Sequence, residues 1–364
     1  MWYKIKPLDT LFFRDGRPFS MGAETWANPI FPPYPSTVYG AIRTWIIFEK
    51  GSLKDFKEGK FKEELGTPSE KGSLKIKGPF IYFNNNIYLP VPFDCLKTET
   101  EKNNLFYISW MNRPEFFISD YPLENILVNR NDFGLEECDG FLVISSLKDY
   151  LIHSDPILQF TKKKEIFLEE KKTGIKRSRK TLSSEEGHLY RIPMIRLKKE
   201  ASLFVEINGL RNYPEGEVLQ IGGEGKTAKI EKIENDDPLK VLRDLNFNFE
   251  NKVFKLYFAT PAIFNKGWLP DWIDEKTFEG SYNKIRLKLV ACSIGKFNLI
   301  GGWDLANNRP KPMYKAVPSG SVYYFKILDD TPAERIKEVF HLKNISDMNP
   351  EEGFGLSLVG EVIE

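Results

Sequence analysis

Arg14 and Arg17 flank the turn-forming pair Asp15-Gly16, and Gly40 and Arg43 follow in a stretch that reads as the start of a helix. Guanidiniums hold phosphate through two parallel donors, and a glycine in an early helical turn lets an anion approach the backbone N–H groups. Phosphate binding is the chemistry expected of these residues if they do any; the plain alternative is an ordinary loop followed by an amphipathic helix. A second set lies in TGIKRSRKTLSSEEGHLYRIPMIRL, where Lys176, Arg177, Arg179, Lys180, Arg191 and Arg196 are interleaved with Leu189 and Tyr190. Cations hold the backbone while aromatic faces stack on unpaired bases, a combination that grips single-stranded RNA. The third is Gly222-Gly223-Glu224-Gly225-Lys226-Thr227, which lacks the leading glycine of a nucleotide-binding P-loop. Its glycines still permit close backbone approach to a ribose-phosphate chain.

Catalytic arrangements are sparse beside these. His153, His188 and His341 lie far apart and share no metal-ligand spacing, and no G-x-S-x-G occurs. Asp271-Trp272-Ile273-Asp274 could hold a metal in principle but reads more simply as a capped turn. His188 follows Glu185-Glu186-Gly187 and precedes Tyr190 and Arg191, which makes it the one candidate acid or base for metal-independent RNA cleavage through the 2′-OH. No cofactor and no metal is expected.

The 364 residues suffice for two domains of ordinary size, and 41% hydrophobic with 28% charged residues describes a globular chain. A net charge of +1 gives no global pull toward nucleic acid, but the charge is uneven. Residues 161–199 carry 13 Lys/Arg against 5 Asp/Glu, whereas residues 329–364 carry 3 against 9. A basic segment and an acidic end suggest two partner surfaces. Cys95, Cys138 and Cys292 form neither a disulfide framework nor a zinc spacing. With no signal peptide and no run of membrane-spanning length, a cytoplasmic protein that keeps off membranes is expected.

The elements that must position these residues follow from periodicity. Residues 2–6 alternate as a strand, and Ser36 is the expected N-cap of a helix carrying Val38, Ala41, Ile42, Trp45 and Ile46. Strands 74–83 and 87–93 flank Asn84-Asn85-Asn86. Residues 97–160 lack a sustained period and read as an insertion with short helical turns. The basic segment reads as a projecting hairpin, and residues 201–208 and 217–233 add strands around the glycine turn. Further strands at 252–260, 285–300 and 321–328, a helix opening at Pro332, and a final strand in GFGLSLVGEVIE complete the pattern. Regular βαβ alternation is missing, so two α+β domains are expected, residues 1–235 and 236–364.

Four patches, in order along nearly the whole length, carry a family resemblance: LFFRDGRPFS…FPPYPSTVYGAIRTW, TGIKRSRKTLSSEEGHLYRI, IGGEGKTAKI and EEGFGLSLVGEV. The chain resembles the third-subunit family of type III-B CRISPR effectors (Cmr complexes), within the RAMP superfamily. The resemblance implies two tandem ferredoxin-like (RRM-like) domains with loop and hairpin insertions, and a non-catalytic RNA-binding subunit. The implied partners are the crRNA 5′ tag, with target RNA as a further contact, the large polymerase-like subunit, and the backbone RAMP subunits. By motif, Arg14, Gly16, Arg17, Gly40 and Arg43 would line the tag. Lys176, Arg177, Arg179 and Tyr190 would belong to an RNA-facing hairpin, and Gly222, Gly223 and Gly225 would give close approach. Lys226 stands where the family often has arginine, which removes the planar fork there. Two alternatives stay open: a crRNA-processing ribonuclease using His188, and a purely protein-binding scaffold.

Overall fold

The computed structural model describes all residues except 15–28, 99–103, 114–118, 130–132, 154–156, 179, 182, 214–216, 235–236 and 363–364, and side-chain surroundings except also at 109–111, 157, 175–177, 184–190 and 250. The protein is of mixed α and β structure, rich in strands and with few helices. Its chain is not divided by one cut near residue 235. One compact unit takes Met1–Asn85, Lys164–Glu234 and Leu299–Tyr314, and the other takes Asn86–Lys163, Asn235–Asn298 and Lys315–Glu364. Sequence order hid this, because long-range strand pairing decides unit membership.

In the first unit the opening strand Trp2–Pro7 lies between Ala201–Asn208 and Thr227–Ile233, antiparallel to both. Lys75–Phe83 pairs outside Ala201–Asn208, and Val218–Gln220 outside Thr227–Ile233. Alternation drives Tyr3 and Ile5 to one face, where Ile5 is fully buried and sits level with Leu203 and Ile230. The helix Pro35–Lys50 buries Val38, Ile42, Trp45 and Ile46, spaced as one helical stripe, and Trp45 meets Tyr3 edge-on at 6.2 Å. This helix begins two residues before the expected start. Tyr34 is the N-cap, with no side-chain cap bond, and Ser36 falls inside the first turn. Pro35 suits that place because it has no N–H to leave unsatisfied.

The basic segment forms a separate two-stranded arm, Phe167–Arg177 with Ser184–Leu197. The register runs from Phe167↔Leu197 to Ile175↔Leu189, then slips at an irregularity before Arg177↔Ser184. Gly174 lies opposite Tyr190. Residues of the arm's base are buried, among them Ile192, Met194 and Ile195, whereas Lys171, Lys172 and Arg191 are exposed.

In the second unit the sheet order is Glu279–Tyr282, Ile285–Ser293, Val322–Ile327, Val253–Phe258, Leu356–Glu361, Lys343–Asn344, each neighbour antiparallel. Phe254, Leu256, Phe258, Leu287, Tyr323, Phe325 and Phe340 form its core. The helix Ala333–Phe340 contributes Ile336, Val339 and Phe340, with Pro332 as its N-cap and not its first helical residue. The described residues of 97–160 are more than short helical turns. They hold short strands and the helix Ile144–Ile152, whose Ile144, Leu147, Tyr150 and Leu151 are buried at helical spacing. His341 is part of this core: its Nδ1 accepts from Val359 N at 3.1 Å, and Nε2 lies 2.9 Å from Leu242 O, so a neutral ring satisfies both neighbours.

Candidate nucleic-acid interface

Three of the sequence patches meet at Phe12 in the first unit. After the opening strand, Leu11 exchanges backbone bonds with Ile195 at the base of the arm, at 2.7 and 2.8 Å. Phe12 packs with Ile192 and Met194, and its carbonyl accepts from Gly223 N at 2.9 Å. The next residues continue outward: Ile30 N donates to Phe13 O, and Arg14 pairs with Pro29. Arg14 and Pro29 therefore stand side by side next to the junction of opening segment, arm and glycine turn.

The glycine turn explains why this junction closes. Gly222 has φ +79, and a Cβ there would stand 2.5 Å from Phe12 O. A Cβ on Gly223 would stand 2.8 Å from the Phe12 ring. No other residue fits either position without moving the opening segment. The close approach these two glycines allow is thus to the protein's own Phe12. Gly225 differs: its φ is +61, and a Cβ would meet nothing within 4 Å. The turn is closed by Ile221 N on Lys226 O at 2.9 Å.

A charged network overlies the junction. Lys226 Nζ donates to Asp9 Oδ2 at 3.0 Å, and Arg196 Nη2 to Asp9 Oδ1 at 3.3 Å. Arg196 also pairs with Glu170 on the facing strand, through Nε to Oε1 and through Nη2 to Oε2 at 3.0 Å. The hydrogen bond from Lys226, with help from Thr10 N and the nearby cations, holds the Asp9 carboxyl at about 2. Asp9, Phe12 and Met194 were not legible as site residues. The available signal was a lone carboxylate, Asp9, between two cation-rich stretches.

Of the residues singled out from sequence, Arg14 is exposed at the junction. Gly16, Arg17 and Arg179 lie outside the described residues. Lys176, Arg177, Tyr190 and His188 have strand positions on the arm, but their side-chain surroundings lie outside the description. Gly40 has open space at its Cβ position. Arg43 is engaged internally: Nε donates to Leu65 O at 2.9 Å and Nη2 to Thr67 O at 2.8 Å, and the guanidinium lies 4.6 Å from the Phe56 ring centre. In this arrangement Arg43 braces the helix against residues 65–67.

A second polar cluster sits in the core of the second unit. Asp94, 2% exposed, accepts from Tyr150 Oη at 2.9 and 2.8 Å and from Tyr324 Oη at 2.6 Å. Lys255, 1% exposed, donates to Tyr150 O at 3.1 Å and lies 2.9 Å from His153 Nε2, with its ammonium 3.5 Å from the Tyr150 ring centre. Burial pushes Lys255 down to about 8, and burial with repulsion from Lys255 pushes His153 down to about 3. The pairings satisfy one another within the core, so this cluster specifies packing. Gly360 belongs to it, because a Cβ there would stand 2.8 Å from Lys255 Cε. Among the described residues, no group of three or more His, Cys, Asp or Glu has the geometry to hold a metal ion, and no helix is long and apolar enough to cross a membrane.

The chain is similar to known proteins. A curated relative, the CRISPR system CMR subunit Cmr3 of Saccharolobus solfataricus, is 22% identical over 330 residues, covering 89% of this chain and 86% of the relative. A chain from the cryo-EM structure of a type III-B Cmr-beta complex bound to cognate target RNA and AMPPnP is similar in fold. It has a TM-score of 0.51, 19% identity, and coverage of 89% of this chain and 86% of that one. A chain from the same kind of complex bound to cognate target RNA alone gives a TM-score of 0.49 at 19% identity. The model of the CRISPR-associated protein family Cas_Cmr3 matches residues 3–362, and the chain belongs to that family.

Proposed function

We propose that this chain is a non-catalytic, RNA-binding subunit of a type III-B CRISPR effector complex. It grips the crRNA 5′ tag at the Phe12 junction and along the basic arm, and it docks on the large polymerase-like subunit beside the backbone RAMP subunits in the cytoplasm. The observation that carries this reading is the convergence of opening segment, arm and glycine turn at Phe12, since three cation- or glycine-bearing patches far apart in sequence meet there. Arg14, Gly16, Arg17, Gly40 and Gly225 line the tag side, with Lys176, Arg177, Arg179 and Tyr190 along the arm. Gly222 and Gly223 seat the junction, Lys226 faces it, and Arg43 positions the helix.

Both units are ferredoxin-like in this reading. In each, the first strand of the core lies between the third and fourth, and the second strand lies outside the third: Trp2–Pro7 beside Ala201–Asn208 in one, Val253–Phe258 beside Val322–Ile327 in the other. The first unit has its helix, Pro35–Lys50, between strands one and two. The second has its helix, Ala333–Phe340, between strands three and four. The acidic stretch at 329–364 supports a basic protein partner there.

The test is photo-crosslinking of the chain, assembled with its large partner, to a crRNA carrying a photoreactive 5′ tag. Crosslinks within residues 14–43 and 176–191 are expected. Their absence from both, in a complex that still assembles, would leave a protein-binding scaffold. Metal-independent cleavage of crRNA lost on His188→Ala would replace the proposal with the ribonuclease reading.

A further inference from the structure

Asp9 sets its two carboxylate oxygens on two cations at once, Oδ2 on Lys226 and Oδ1 on Arg196. Lys226 closes the glycine turn and Arg196 sits at the base of the arm, so one small anion bridges the two elements that the RNA reading brings together. A phosphodiester presents two charged oxygens to ammonium and guanidinium donors in the same way. The Asp9 side chain is 59% exposed and that of Lys226 17%, so the carboxylate is the movable member and the ammonium the seated one. Glu170, across the arm, aims the Arg196 fork by taking Nε and sharing Nη2.

We infer that Lys226 and Arg196 form a subsite for one backbone phosphate of single-stranded RNA, and that Asp9 fills it in the RNA-free chain as an internal stand-in which that phosphate displaces. The inference rests on the RNA-binding reading above and adds to it a subsite and a competitor. The carboxylate stays ionised at neutral pH, held low by Lys226, so competition persists wherever RNA binds. Its consequence is selectivity. An RNA held here alone exchanges one anion for another and gains little. An RNA that also contacts Arg14 and the arm collects enough further binding to displace Asp9.

The experiment is fluorescence anisotropy of the full chain with a labelled single-stranded RNA across a range of salt. Asp9→Asn keeps the shape and removes the charge, and it should tighten binding roughly three- to tenfold. Glu170→Gln should tighten it less. Lys226→Ala should weaken binding and lower the salt slope by about one phosphate contact, and adding Asp9→Asn to it should give at most a small fraction of the single-variant gain. Asp9→Asn that weakens binding, or leaves it unchanged while Lys226→Ala weakens it, overturns the inference and makes Asp9 a structural tie. If Arg14→Ala, Arg191→Ala and Lys226→Ala all leave binding unchanged, the RNA reading itself falls, and the inference with it.

Discussion

Asp9 with Lys226 and Arg196 in the first unit, and Asp94 with Tyr150 and Tyr324 beside Lys255 in the second, are both aspartate-centred polar clusters. Solvent separates their roles. Around Asp9, water can replace any partner, so each pairing contributes little to stability and is exchangeable for a ligand. Around Asp94 no water takes over a lost bond, so each partner is needed by the others. An aspartate in a sequence therefore says nothing of its role until its burial and partners are known.

The largest effect expected is at the buried cluster. Asp94→Ala leaves the Tyr150 and Tyr324 hydroxyls without their acceptor in the core and should cost about 3–5 kcal/mol, read by chemical denaturation. A loss below about 1 kcal/mol would mean that water reaches the cluster, and the contrast would collapse.

The pH dependence comes next. Burial holds His153 at about 3 and His341 at about 4, below the ordinary 6.5. The unfolded chain therefore binds protons that the folded chain refuses. Their contribution is fully present above about 6.5 and is lost as pH falls toward 4, by on the order of 3 kcal/mol per histidine. His153→Asn tolerates the left-handed backbone, φ 48, and should flatten the stability profile over that interval. Lys255 acts in the same sense at alkaline pH, with stability rising from about 8 to 10.5.

Gly222→Ala should cost about 1–3 kcal/mol, through positive φ and the clash with Phe12 O, and should weaken RNA binding by loosening the junction. Tyr324→Phe removes one of the two hydroxyl donors to Asp94 and should cost about 1–2 kcal/mol. At the exposed cluster, Asp9→Asn should leave the thermal midpoint where it is while changing RNA affinity. A large fall in that midpoint would show that the first unit leans on Asp9 as the second does on Asp94.

Much of this was readable from residue order. The strand at 201–208 lies at Ala201–Asn208, because a short apolar run buried on both faces belongs at the centre of a sheet. The arm and the glycine turn also announced themselves. Their meeting point did not, because Phe12, Ile192 and Met194 look like any apolar residues until long-range pairing brings them together. The helix Ile144–Ile152 was hidden by its weak surroundings: short strands and prolines on either side mask a nine-residue period. Arg43 shows the opposite failure. Its position suited a phosphate, yet nearby carbonyls at Leu65 and Thr67 take its donors.

The interleaving of the two units bears on how the chain is born. Leu299–Tyr314 groups with the first unit, and in the second Leu356–Glu361 pairs with Val253–Phe258. The sheet of the second unit therefore cannot be completed while its early segments alone have emerged from the ribosome. Gly360 fits only over a settled Lys255 stem, so closure of the second unit comes late in synthesis. Until then one edge of Val253–Phe258 waits unpaired, an exposed apolar strand edge of the kind that invites association during folding.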